Sequence, residues 1–123
     1  MDAEKRRMLE ECGVDYKSGL ERFMGNEALY EKFLLKFLSD PSYQSLVENM
    51  EEGNMKQAER AVHTMKGTAG NLSLEPLFHA SDAMVKAIRT NAKPEKVQAM
   101  YREVKEIYHD ICNVLKELRP EEK

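Results

Sequence analysis

His63, Lys66 and Gly67 are the residues whose types and spacing could do chemistry here. They lie in a segment whose apolar residues, Met55, Ala58, Val62, Met65, Ala69 and Leu72, are spaced by three and four, as on a helix with one buried side. At about 100° per residue, His63 falls roughly 130° from the centre of that side, so its imidazole is expected to face solvent. Lys56, Arg60, Gly67 and Gly70 share its face, and Lys66 sits at the flank. Gly67 lies one turn beyond His63, where a missing side chain leaves a path to the ring. Lys66 can set an ammonium beside a group carried on the imidazole. An exposed imidazole is in good part neutral and nucleophilic near neutral pH. A nucleophile, a cation and a clearance on one face suit in-line phosphoryl transfer, which rests on positioning and charge stabilisation. An open face of this kind invites a protein donor rather than a small substrate.

The two glycines cost about 1 kcal/mol each relative to Ala in a helix interior, so each calls for a compensating role. Small residues can also mark close helix packing. Gly67 points away from the apolar side, which favours clearance. Gly70 is open between clearance and helix termination, and Asn71 is expected to serve the helix end.

The elements that must position these residues are all helical by their spacing. An amphipathic segment covers 2–12 and a short one 15–23. Asn26 is the expected N-cap of a helix carrying Leu29, Tyr30, Phe33, Leu34, Phe37 and Leu38. Pro41 can open the next, with Leu46, Val47 and Met50 inward. Asn54 is expected to cap the helix of His63. Ser73 is expected to begin the following helix, with Glu75 and Pro76 in its first turn and Leu77, Ser81, Met84 and Ile88 on one side. The last starts near Pro94 and carries Val97, Met100, Val104, Ile107, Ile111, Val114 and Leu118. Short connections imply antiparallel neighbours. The expected fold is all-α: an antiparallel four-helix bundle with additional short N-terminal helices, in a single domain spanning 1–123 with a core from about 13 to 118.

Composition agrees and narrows the partners. The 123 residues are 41% hydrophobic and 33% charged, with 6 Gly and 4 Pro, a helix-favouring mixture. A net charge of -3 argues against nucleic acid as the main ligand. Phe33 to Leu38 is too short and too interrupted by Lys36 to span a membrane, and the first five residues lack a signal peptide's apolar run. Cys12 and Cys112 match no metal or redox spacing and are expected to be free thiols in a reducing cytoplasm. His79 and His109 fall on polar faces, and no clustered Cys or carboxylate pattern accompanies them, so no metal site is expected. The Met stripes read as core filling, and Tyr101 and Tyr108 as flanks of the core with hydroxyls reaching water.

The run His63-Thr64-Met65-Lys66-Gly67-Thr68-Ala69-Gly70-Asn71-Leu72 resembles the phosphoacceptor motif of histidine-containing phosphotransfer (HPt) domains. The stretch from Gly19 through Asn26 to Tyr30 is similar to the one leading into that family's first bundle helix. The resemblance implies that His63 is phosphorylated on a ring nitrogen, that Lys66 stabilises the phosphoryl charge and that Gly67 permits docking. It implies donors and acceptors that are aspartates of receiver domains, on response regulators or hybrid histidine kinases. Those partners would bring magnesium, so no cofactor or metal is expected on this chain. Ser73 departs from the family pattern where Gly is frequent, and Val85 stands where Glu is common, removing an acidic position. Receiver docking is expected around Lys56, Glu59, Arg60 and Gly70.

The function expected is that of a cytoplasmic, monomeric phosphorelay carrier, not an enzyme, since no Gly-rich phosphate loop follows a strand. Two alternatives stand beside it. One is a module that binds and sequesters a receiver or kinase without transfer. The other is the amino-terminal phosphoacceptor part of a chemotaxis-type kinase, with the polar stretch 119–123 as a cut linker.

Overall fold

A computed structural model describes residues 3–119, and all regular structure in it is helical. The expected helix start at residue 2 and the polar stretch from 120 onward lie outside the described residues. The described residues form seven helices, in order α1 (Ala3–Glu11), α2 (Tyr16–Arg22), α3 (Glu27–Phe37), α4 (Ser42–Glu52), α5 (Met55–Asn71), α6 (Glu75–Arg89) and α7 (Pro94–Glu117).

Local chemistry sets most of these boundaries. The side chains of Asp15, Asn26 and Asn54 accept from the amides of Ser18, Leu29 and Gln57, satisfying donors that a helix start leaves unpaired. Asp40 holds the start of α4, accepting from the Ser42 amide at 2.8 Å, while Pro41 sits at the N-cap. Gly53, with φ at +73°, ends α4 in the left-handed conformation that glycine adopts without strain.

The following junction departs from expectation. Ser73 does not begin α6; it closes α5. Its φ is +57°, its amide bonds the Gly70 carbonyl, and the Leu74 amide bonds the Ala69 carbonyl at 2.9 Å. That pair of bonds is the Schellman motif, in which a left-handed residue satisfies the last carbonyls of a helix. α6 then starts after Leu74, which makes no side-chain cap bond.

The core draws on every helix. α4 packs on α5, α5 on α6 and α6 on α7, while α1 and α3 also touch α7. Tyr43 of α4 stacks on Tyr108 of α7 with ring centroids 3.7 Å apart, which joins the first and last of these four helices. Leu9 is fully buried, so α1 contributes to the core. Tyr101 is buried too, at 7% exposure, where a water-reaching flank was expected. The wide apolar stripe of α7 meets α1, α3 and α6, so even its edge is covered. Leu29 and Phe33 keep 38% and 39% of their surface, on the outer side of α3.

Candidate functional site

α5 owes its central place to small residues. Its buried face is Ala58, Ala61, Val62, Met65 and Ala69, and the alanines let α4 and α6 approach closely on two sides. One side of α5 is left to solvent, and His63 stands on it. Among the described residues its imidazole has no hydrogen bond or ion pair. Gly67 is exposed as well, and a methyl group there would meet nothing within 4 Å. The hydroxyls of Thr64 and Thr68 are spent on α5 itself, donating to the carbonyls of Arg60 and Thr64 at 3.0 and 3.2 Å. With those two hydroxyl protons engaged, His63 stands on this face as a nucleophile with no bond to the rest of the described residues.

Cations from two helices surround the histidine. A cavity of about 480 Å³ is lined by Glu59, Arg60, His63, Thr64 and Arg89. Arg89, at the end of α6, donates to the Glu59 carboxylate across the helix pair. On the other flank Lys66 reaches α6 and meets Asp82 Oδ1 at 2.8 Å, while Lys86 takes Asp82 Oδ2 at the same distance. Hydrogen bonds from Lys66 and then Lys86 hold the Asp82 carboxyl down to about 2. Lys66 Nζ also lies 5.8 Å from the centre of the Phe78 ring.

The expected site residues therefore divide. His63 and Gly67 share an open face, with Lys56 and Arg60 exposed nearby. Glu59 is partly buried and tied to Arg89 rather than free. Gly70 lies against α6 near the end of α5: a methyl there would come within 3.1 Å of the Phe78 ring, so its missing side chain gives that ring room against α5. Asn71 is the last residue of α5, as expected.

Two residues of the site were not anticipated, Asp82 and Arg89. Asp82 lies one turn before Val85, the position where the family pattern has an acidic residue. The i,i+4 pairing of Asp82 with Lys86 was the available signal. A second cavity of about 740 Å³ lies further along α5, lined in part by Phe23, Phe33, Phe37, Thr68 and Asn71.

The family model for the Hpt domain matches residues 37–119, from the last residue of α3 through α7. The chain belongs to the HPt family. HPt domains are phosphocarrier modules of two-component signalling, not kinases, and interact with receiver domains. The match contains the whole of α5 and α6, and with them every residue of this HPt site. No curated protein and no solved structure matches the chain. Among the described residues of this HPt chain, no helix is long and apolar enough to cross a membrane. No group of three or more His, Cys, Asp or Glu among them could hold a metal ion.

Proposed function

We propose that His63 accepts a phosphoryl group from an aspartyl phosphate of one receiver domain and passes it to an aspartate of another. The observation that carries this reading is the unbonded, solvent-facing imidazole of His63 with open space over Gly67. The neutral ring nitrogen attacks phosphorus in line, the phosphorus–oxygen bond to the aspartate breaks, and the carboxylate leaves. The ring proton passes to solvent from the other nitrogen. Lys66 offsets charge on the phosphoryl oxygens, and Gly67 lets the partner's loops approach. Magnesium belongs to the receiver in this reading.

The same reading makes α4 to α7 an antiparallel four-helix bundle, supported by their short connections and successive packing. It takes residues 1–123 as one domain, monomeric and cytoplasmic; the free Cys12 and Cys112 thiols suit a reducing compartment. Lys56 and Arg60 are the exposed side chains around His63 best placed to meet an acidic partner.

The test is transfer from a receiver domain of the same organism, charged with labelled acetyl phosphate, to the native chain and to His63→Gln. Acid-labile, alkali-stable label on the native chain and none on the variant supports the carrier. Binding of the receiver without any transfer supports the sequestering module instead and removes the role given to His63.

A further inference from the structure

We propose that Asp82 is a positioning residue for phosphoryl transfer, holding the Lys66 ammonium at the height of α5 where a group carried on His63 would need it. The proposal rests on the phosphocarrier reading above. A lysine on a helix surface has a long, mobile stem and loses rotamer entropy when its head is fixed. Lys66 is already fixed before any phosphoryl group arrives. Its ammonium meets Asp82 Oδ1 at 2.8 Å, and its side chain retains only 27% of its exposure.

Asp82 is itself held from a second side. Its second oxygen is taken by Lys86 at 2.8 Å, one turn along α6, and its side chain is 22% exposed. The floor beneath Lys66 is the Phe78 ring, which can sit there because Gly70 has no side chain. Three groups of α6 thus act on one lysine of α5: a carboxylate, the second lysine that steadies it, and an aromatic face.

The arrangement leaves Lys66 usable. An ammonium has three donors, and Asp82 occupies one, so two remain for phosphoryl oxygens. The charges also favour the product. Lys66, Lys86 and Asp82 together carry a net +1, whereas a lone Lys66–Asp82 pair would be neutral towards an incoming dianion. Lys86 therefore compensates for the carboxylate that orients Lys66.

The sequence pattern is consistent with a displaced role. The HPt pattern has an acidic residue where this chain has Val85, and Val85 is buried, at 1% exposure. Asp82 lies one turn before it, on the side of α6 that Lys66 can reach.

A double-mutant cycle tests this with the receiver that transfers to the native chain. Single-turnover rates are measured for native, Asp82→Asn, Lys66→Met and the double variant, at several receiver concentrations. The expected result is a saturating rate about tenfold lower for Asp82→Asn, the scale of a misplaced catalytic group, with the half-saturating concentration unchanged. In the Lys66→Met background the same substitution changes nothing further, and Asp82→Glu recovers most of the native rate. Equal slowing in both backgrounds overturns the proposal, because the effect then does not pass through Lys66. A native chain that accepts label while Asp82→Asn matches its rate overturns the positioning role alone. A native chain that accepts no label from any receiver removes the phosphocarrier reading, and this role with it. Helicity and Tm measured on each variant separate misfolding from slow transfer; if Asp82→Asn is unfolded, Asp82→Glu and Lys66→Met carry the comparison.

Discussion

One turn beyond His63 the chain carries no side chain, although no atom of another element stands within 4 Å of where one would begin. Packing therefore gives no reason for Gly67, and a helix-interior glycine costs about 1 kcal/mol relative to Ala. Gly67→Ala is expected to raise stability by about that amount, moving Tm up by a few degrees in a thermal melt. The larger Gly67→Gln is expected to fold as well as native and to slow transfer to His63 about tenfold, read in the same receiver assay. Transfer would then fall with no loss of stability at this position, as expected where a residue serves docking rather than the fold. Gly70, three residues along, is the contrast. There a methyl would press on Phe78 at 3.1 Å, so packing does give a reason for Gly70.

Among the elements, the end of α5 is where the short N-terminal helices matter most. The left-handed Ser73 costs about 1 kcal/mol relative to a glycine, and α2 helps hold it. Its carbonyl accepts from the Asp15 amide at 3.0 Å and its hydroxyl bonds that of Ser18 at 3.2 Å. α3 supplies a second tie, because the buried Tyr30 hydroxyl donates to the Leu72 carbonyl at 2.7 Å. Burial pushes that hydroxyl's pKa well up, so it remains a donor across the ordinary pH range. Gly19 of α2 makes room for it, since a methyl there would sit on the Tyr30 hydroxyl. Tyr30→Phe is expected to destabilise the protein by about 1 to 2 kcal/mol, leaving a buried carbonyl without its donor. In urea unfolding this appears as a lower midpoint with unchanged slope.

At the scale of the molecule, α4 and α7 meet through a stack of two aromatic rings. Tyr43 lies flat on Tyr108, with planes 5° apart, and its hydroxyl is 3.1 Å from His109 Nε2. Phe37 meets the same Tyr108 ring edge-on at 5.8 Å, so α3 is drawn into the contact. Tyr43→Leu keeps apolar volume but removes the stack. The expected loss is about 1 kcal/mol beyond any change in buried area, with the helical circular dichroism signal retained. A variant as stable as native would mean that α4 and α7 are held by their other contacts alone.

Much of this was legible in the chain because helices are local objects. The caps at Asn26 and Asn54, the proline starts at Pro41 and Pro94, and the exposed sides of His63 and Gly67 all follow from residues within two turns of one another. Ser73 misled for a local reason as well: serine caps helix starts well, but tertiary ties to Asp15 and Ser18 hold it as the end of α5. What only the tertiary structure decided are the pairings between helices. Lys66 with Asp82, Glu59 with Arg89, Gly70 with Phe78 and Tyr43 with Tyr108 depend on how α5 lies against α6 and α4 against α7. Periodicity along one helix says which side is buried. It does not say which turn of the neighbour lies opposite, because that register is set by side-chain packing across the whole core.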